Sequence, residues 1–401
     1  MIHIAILGFG VVGGGVATLL SRNADTIALS AASEVRLKYI LDIRDFPDSP
    51  FSDKMVGDFS VIEADPDVQV VVETIGGAGA AYDFTKRALL AGKSVVTSNK
   101  ELVAKHGYEL LSIAREQNVN YLFEASVGGG IPIIRPLTQC LAANEISEIY
   151  GILNGTTNYM LSQMAAKELS FETALKEAQA LGYAEPDPSA DLQGDDAARK
   201  ICILASLSFG EQIYPDQVST EGIGKVSLAD MQYAKSAGWK IKLVSRALRL
   251  DDGKIVAYVA PHLVRTETSL LANVENVFNG IVVRGNALGD VMFYGAGAGE
   301  LPTASAVVAD VIDCAKHLKA RKYIAWGPGG SETTADVSEL PFRWYVRRPA
   351  GCACKFGAIE LLRYDGADSG EMAFLTEPMS YAEIAPKLEC AEAYAAFRLL
   401  E

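Results

Sequence analysis

The stretch from Gly182 to Ala205, GYAEPDPSADLQGDDAARKICILA, gathers the side chains best suited to acid–base chemistry. A proline-broken acidic loop with Glu185, Asp187 and Asp191 leads into a helix that starts near Gly194 and carries Asp195, Asp196 and Lys200. Asp196 and Lys200 stand one helical turn apart, a spacing worth only about 0.3–0.5 kcal/mol on a solvated face. This face is not a solvated one. Ala197, Ile201, Leu204, Ala205 and Ser208 mark the inward stripe, and Lys200 lies beside Ala197, Ile201 and Leu204. A lysine so placed is either paired or pushed toward neutrality by desolvation, the condition under which lysine exchanges protons near neutral pH.

Such a site needs a reaction partner, and the amino terminus offers one. Residues 3–7, HIAIL, predict a buried strand; Gly8-Phe9-Gly10-Val11-Val12-Gly13 follows, then a helical pattern from about Val12 to Arg22. Strand, G-x-G-x-x-G and helix in that order point to a dinucleotide: the glycines permit a tight turn and close backbone approach, and the helix amino terminus offers N–H groups to a pyrophosphate. A second strand, Val35 to Leu41, ends in Asp42-Ile43-Arg44-Asp45, where an acid selects the ribose hydroxyls of NAD and an arginine the extra phosphate of NADP. Both are present, so the reading leans to NADP through Arg44 and leaves NAD open.

Strands at Asp67 to Glu73 and Ser94 to Thr97, with a helix at Tyr82 to Ala91, imply a parallel sheet with right-handed crossovers. Ligands bind beyond the carboxyl ends of such strands, which places Thr74-Ile75-Gly76-Gly77 and Thr97-Ser98-Asn99-Lys100 at the nucleotide; Lys100 is a site lysine or an ordinary loop lysine. A fifth strand, Asn120 to Glu124, runs into Ala125-Ser126-Val127-Gly128-Gly129-Gly130-Ile131-Pro132. One carboxylate beside exposed carbonyls suits a monovalent cation better than a divalent one, and a tight turn into a helix at Pro132 is the alternative.

From Glu145 the pattern changes to α+β. Glu145 to Leu153 predicts a strand, and Asn154-Gly155-Thr156-Thr157-Asn158 caps a helix to about Lys167. Helices are also predicted at Ser170 to Leu181 and, behind a Ser227/Asp230 capping box, to Ala237. A hairpin around Asp251-Asp252-Gly253 and strands near residues 280–285 and 291–294 predict a largely antiparallel sheet. Gly295 to Glu300 is a second glycine-rich turn, and the apolar helix from Thr303 to Leu318 returns to the first domain, which puts Gly299 at the cleft. The last 80 or so residues predict short strands at 342–347, 358–364 and 372–375, a helix at 381–388 and a final strand at 393–400, with no chemistry of their own.

Composition limits the alternatives. With 401 residues and 49% hydrophobic content the chain has ample core for two or three domains, and a formal charge of -14 disfavours nucleic acid or an anionic membrane as partner. No run of roughly 18 apolar residues and no signal-peptide pattern is seen, which predicts a soluble, cytoplasmic protein. The six cysteines lack zinc spacing and are expected to be reduced structural thiols; the four histidines form no cluster.

Taken together, GFGVVG, TSNKELVA, ASVGGGIPII, GILNGTTNYML, GYAEPDPSADLQGDDAARKICILA and GAGAGELPTASAVVAD resemble the homoserine dehydrogenase family, in family order over residues 1 to about 320. The resemblance implies an NAD(P)-dependent enzyme that interconverts L-homoserine and L-aspartate 4-semialdehyde, on the route to threonine and methionine, as a homodimer or dimer of dimers. It implies Lys200 as proton donor and acceptor at the substrate C4 oxygen and Lys100 as the second lysine. Glu185, Asp191 and Asp196 match the acidic positions around the amino acid, and Gly155, Thr156, Gly182 and Tyr183 line its pocket. Glu124 with the carbonyls of Val127, Gly129 and Ile131 matches the family's sodium site; Gly299 and Glu300 match the loop near the nicotinamide.

The expected architecture is α/β: a Rossmann-type nucleotide-binding domain over residues 1–142 with a return helix at 300–320, an α+β substrate and dimerisation domain over 143–299, and a carboxyl-terminal ACT-like domain over 321–401. In this last part Phe342 to Arg347 and Arg348-Pro349-Ala350-Gly351 resemble the first ACT strand and turn, yet the usual first helix is missing, which predicts a tail without normal threonine feedback. An aspartate-semialdehyde dehydrogenase would need an activated cysteine, and Cys140 and Cys202 fall in helical patterns. A noncatalytic nucleotide sensor would lack Lys100 and the constellation at 182–200.

Overall fold

Short apolar, often β-branched runs alternating with amphipathic segments produce the elements of the computed structural model, which describes residues 1–318, 320 and 324–401. In chain order they begin with β1 (Ile2–Leu7), α1 (Val11–Arg22), α2 (Ala24–Ala31), β2 (Val35–Leu41), β3 (Met55–Val56), α3 (Phe59–Ala64), β4 (Val68–Glu73), α4 (Gly79–Leu90), β5 (Ser94–Thr97), α5 (Lys100–Glu116) and β6 (Tyr121–Leu122). There follow β7 (Ile146–Ile152), α6 (Gly155–Lys167), α7 (Phe171–Ala180), α8 (Ser189–Leu192), α9 (Asp195–Phe209), β8 (Ser219–Thr220), α10 (Leu228–Ser236), β9 (Trp239–Arg249) and β10 (Ile255–Arg265). The chain closes with β11 (Phe278–Gly285), β12 (Gly289–Ala296), α11 (Glu300–Lys316), β13 (Trp344–Pro349), β14 (Ile359–Leu362), β15 (Glu371–Thr376), α12 (Tyr381–Cys390) and β16 (Ala395–Leu400). They form two compact units: Met1–Asn144, Cys202–Pro215 and Gly295–Gly329 make the first, and Glu145–Ile201, Asp216–Tyr294 and Gly330–Glu401 the second.

In the first unit six parallel strands run in the order β3-β2-β1-β4-β5-β6. β1 and β4 carry side chains buried on both faces, so their near-continuous apolar runs are the expected signature of a parallel sheet covered by helices. Ile4, Ile6, Val70, Val72 and Val96 meet Val16 and Leu20 of α1 and Ala304, Val307 and Val311 of α11 in one core. The last residues of the return helix expected over 300–320 include Lys319, which lies outside the described residues, as does Arg321, where the tail was expected to begin.

The second unit is built on a ten-stranded mixed sheet in the order β12-β11-β7-β9-β10-β16-β13-β15-β14, with β8 also paired to β10. β16 runs parallel to β10 in the register His262↔Arg398, Leu263↔Leu399 and Val264↔Leu400. The segment expected as a third domain, 321–401, thus shares a sheet with 143–299. It also shares a core, in which Val256, Tyr258 and Ala260 of β10 pack with Trp344, Val346, Phe374 and Ile384. No helix separates β13 from β14.

Three expectations are corrected. The fifth strand shortens to Tyr121–Leu122, because the Glu124 N–H leaves the ladder to donate to the Asp310 carboxylate at 2.8 Å. The helix expected at Pro132 is instead a π-type stretch, Pro136–Cys140, with Leu141 N–H bonding back to the Pro136 carbonyl. The cysteines are not all thiols: Cys354 and Cys390, 36 residues apart on different elements of the tail, are joined with their Cα atoms 6.4 Å apart. Cys140, Cys202, Cys314 and Cys352 are free.

Candidate active site

Lys200 is placed as the helical wheel demands, and it is paired. Its Nζ donates to Asp196 Oδ2 at 2.7 Å and to the Leu153 carbonyl, at the end of β7, at 2.8 Å. A lysine ammonium has three N–H donors, and these two bonds account for two of them. Both side chains are nearly enclosed, at 11% and 9% exposure, which separates this pair from an ordinary surface i,i+4 bridge. Asn154 completes the cluster. Its Nδ2 donates to Asp196 Oδ2 at 2.9 Å and to Asp191 Oδ1 at 2.7 Å, so one amide nitrogen turns two carboxylates toward each other. The Asn154 Oδ1 meanwhile caps α6 by accepting from Thr157 N–H.

The neighbouring positions form a second group. Gly155 opens α6 where a side chain would press on the Val277 carbonyl, and Thr156 Oγ1 donates to the Tyr183 carbonyl at 2.6 Å. This bond fixes the start of α6 to the loop that follows Gly182. The Tyr183 ring is partly exposed and meets Tyr159 edge-on at 5.0 Å. Glu185 is exposed on the loop, its carbonyl accepting from Gln179 Nε2 at 3.2 Å.

In the first unit the glycine-rich turn fits a dinucleotide. A Cβ on Gly13 would overlap the Gly8 carbonyl, so helix α1 sits closer to the turn than any other residue allows. Gly8, Gly10, Asp42, Arg44, Thr74, Ile75 and Gly76 line a cavity of about 640 Å³. Thr74 Oγ1 donates to the carbonyls of Leu7 and Gly8 at 3.0 and 2.7 Å, tying the β4 end to the glycine turn. Phe9 packs edge-on against Phe46 at 5.0 Å, and Val11 and Val12 begin α1. The opposing signals of Asp42 and Arg44 are reconciled by contact. Asp42 accepts the Phe9 N–H at 2.6 Å and holds the Arg44 guanidinium at 3.0 and 3.1 Å. The Arg44 guanidinium is the main reason that the Asp42 carboxyl is held down to about 2.

Lys100 begins α5, whose cap is Asn99: Asn99 Oδ1 accepts from Leu102 N–H, and Nδ2 donates to the carbonyls of Ile75 and Gly77 at 2.9 and 2.6 Å. Behind it Glu73, fully buried, accepts from Ile75 N–H at 2.6 Å and Thr97 Oγ1 at 2.5 Å, and burial pushes its carboxyl up to about 7. Ser98 N–H reaches the Glu73 carbonyl at 3.3 Å. Gly299, at φ +127, caps α11, and a Cβ on Gly15 would come within 3.0 Å of the Glu300 side chain.

At the loop expected to hold a cation, Glu124 is already well supplied with donors: its Oε1 accepts from the N–H groups of Ile133 and Ile134 and its Oε2 from that of Arg135. Three of about four lone-pair positions are used, so one is left for an ion. Gly128 and Gly129, both at positive φ, turn the chain that carries the carbonyls of Val127, Gly129 and Ile131. Arg135 closes the far side by pairing with Asp310.

Sequence reasoning missed Asn154 as anything but a cap, because its carboxylate partners lie 37 and 42 residues away. It also missed Glu73, whose signal was a carboxylate closing the apolar run of a buried parallel strand.

Two family models match the chain, one described as homoserine dehydrogenase over residues 132–312 and one as homoserine dehydrogenase, NAD binding domain, over residues 8–124. A homoserine dehydrogenase of Neisseria gonorrhoeae is 42% identical over 359 residues, 86% of this chain and 81% of that protein. One of Corynebacterium glutamicum is 43% identical over 356 residues, 86% and 79% respectively. Among solved structures, a homoserine dehydrogenase from Thiobacillus denitrificans matches 100% of this chain and 98% of its own at 34% identity, with a TM-score of 0.88. A hyperthermophilic archaeal homoserine dehydrogenase in complex with NADPH matches 78% of this chain and 97% of its own at 29% identity, with a TM-score of 0.66.

Proposed function

The chain belongs to the homoserine dehydrogenase family, and on that premise we propose how its residues divide the work. The enzyme is an NAD(P)-dependent oxidoreductase that interconverts L-homoserine and L-aspartate 4-semialdehyde, a step toward threonine and methionine. The nicotinamide, when bound, accepts or returns the hydride at C4. Lys200 as the neutral amine takes the hydroxyl proton in the oxidation, and as the ammonium gives it back in the reduction, and Lys100 is the second lysine at the reacting oxygen. Asp191, Asp196 and Glu185 hold the substrate ammonium group, while Gly155, Thr156, Gly182 and Tyr183 form the wall of the amino-acid pocket.

The observation that carries this reading is the enclosed Lys200–Asp196 pair joined through Asn154 to Asp191. It sets a proton-transfer group next to two carboxylates, which is what a substrate with a hydroxyl at one end and an ammonium group at the other requires. Replacing Asn154 by Ala in the full chain releases both carboxylates. The KM for L-homoserine is expected to rise at least tenfold, with the nucleotide KM within twofold; an unchanged homoserine KM contradicts the assignment.

The nucleotide is held by Gly8, Phe9, Gly10, Val11, Val12, Gly13, Thr74, Ser98, Gly299 and Glu300, with Arg44 favouring the extra phosphate of NADP. Support for NADP comes from the half-exposed Arg44 guanidinium at the cavity and from the archaeal relative solved with NADPH. A sodium ion at Glu124 and the carbonyls of Val127, Gly129 and Ile131 is supported by the glycine turn and by the remaining lone-pair position on the carboxylate. The enzyme works as a homodimer or dimer of dimers, its tail an incomplete ACT-like element. A cytoplasmic setting agrees with the biosynthetic role, and among the described residues no helix is long and apolar enough to cross a membrane. The Cys354–Cys390 bond counts against it, since cytoplasmic glutathione keeps such pairs reduced. Thiol titration of protein alkylated at the moment of lysis decides the state of this pair: six free thiols show it reduced in the cell, four show it bonded.

A further inference from the structure

We infer that Arg398, on the last strand of the tail, is a positioning residue for the amino-acid site, acting through Glu221 on the turn that starts the Lys200 helix. The inference rests on the assignment of Asp196 and Lys200 to that site. Arg398 is 2% exposed, and its guanidinium lies over the rings of Trp344, Phe342 and Tyr258 at 4.8, 5.3 and 5.5 Å. Its Nε is buried without a hydrogen-bond partner. Among the described residues the carboxylate that this buried cation pairs with is that of Glu221, half-exposed, at 2.6 Å from Nη1.

Glu221 leads directly to the site. Its N–H donates to the Val259 carbonyl at 2.7 Å, continuing the pairing of β8 with β10. Gly222 then lies so close to the Leu192 carbonyl and Gln193 Cα that a Cβ there would overlap them, and Ile223 N–H donates to the same Leu192 carbonyl at 3.0 Å. Two residues on, Gly194 accepts from Ala198 N–H at 2.8 Å in the first turn of α9, immediately before Asp195 and Asp196. From residue 398 to Asp196 each link is thus a hydrogen bond, a close backbone contact or the chain itself. Because close-packed segments shift as units, loss of the Arg398–Glu221 contact frees residues 221–223 to move and carries the Leu192–Gly194 turn, and with it the Asp196 carboxylate, out of place.

The test uses the full-length enzyme with Glu221→Ala, which leaves the buried aromatic cluster intact, and Glu221→Gln, which retains an acceptor for Arg398. Glu221→Ala is expected to raise the KM for L-homoserine roughly threefold to tenfold while the nucleotide KM stays within twofold, and Glu221→Gln to recover most of the loss. Gly222→Ala, which breaks the next link without touching Arg398, should shift the same KM in the same direction. An unchanged homoserine KM in a folded Glu221→Ala enzyme, or an equal rise in both KM values, overturns the inference. Asn154→Ala, measured alongside, separates the two levels. If it raises the homoserine KM and Glu221→Ala does not, the coupling alone fails; if neither does, the site assignment fails with it.

Discussion

At the scale of single residues, burial decides which charges matter. Glu73 has its carboxyl pushed by burial from 4.5 to about 7, which makes ionising it in place cost on the order of 3 kcal/mol. A folded-state value above the unfolded one means that stability is full below about pH 4.5 and is lost as the pH rises through 7. Glu73→Gln removes this loss, so the thermal midpoint of the variant minus that of the wild type should grow from pH 5 to pH 8; a difference independent of pH contradicts the account. Asp42 and Arg44 give a second prediction. With Asp42 ionised throughout the working range and paired to Arg44, Arg44→Ala should lower kcat/KM for NADPH at least tenfold and leave that for NADH nearly unchanged. Equal losses with both nucleotides would remove Arg44 from cofactor selection. Lys200 was legible in the sequence because a charged residue on an apolar stripe breaks a periodic pattern. Asn154 was not, because a short amide reads as a helix cap whether or not it also orients two carboxylates.

At the scale of elements, local rules served where the contacts were local. The Ser227/Asp230 capping box, visible as a spacing, is present in full at the start of α10. What the spacing cannot carry is that the fully buried Asp230 also takes the Arg347 guanidinium at 2.7 Å and the Tyr345 hydroxyl at 2.8 Å, from residues more than 100 positions on. Asp230→Ala leaves Arg347 with Glu371 as its carboxylate partner, at 2.7 Å, and takes the acceptor from the buried Tyr345 hydroxyl, so it is expected to cost roughly 2–3 kcal/mol, above the cost of about 1 kcal/mol for losing a cap alone. A loss near 1 kcal/mol in equilibrium unfolding would show that the pair adds nothing. The tail offers another element-level prediction: with β13 passing to β14 without a helix, activity should change little with threonine concentration, and strong cooperative inhibition would contradict the incomplete ACT reading.

At the scale of the molecule, the order of motifs sufficed to place a parallel-sheet, NAD-binding unit at the start of the chain and a mixed-sheet unit after it. The alternation of strands and helices is imposed by parallel-sheet geometry and can be seen in one chain. The union of the tail with the central sheet was hidden, since β16 joins β10 in parallel with paired residues 136 positions apart and no local pattern announces a partner so distant. The amides of β10 and β16 should therefore exchange with solvent as one cooperative unit, and early exchange of β16 alone would show a separable tail.

The account turns on Lys200. The most direct measurement follows homoserine-dependent nucleotide reduction, and nucleotide affinity, in the wild-type enzyme and in Lys200→Ala. A fall in kcat of roughly 10²-fold or more with the nucleotide dissociation constant within twofold is the predicted result. Turnover that survives the loss of this amine would contradict it.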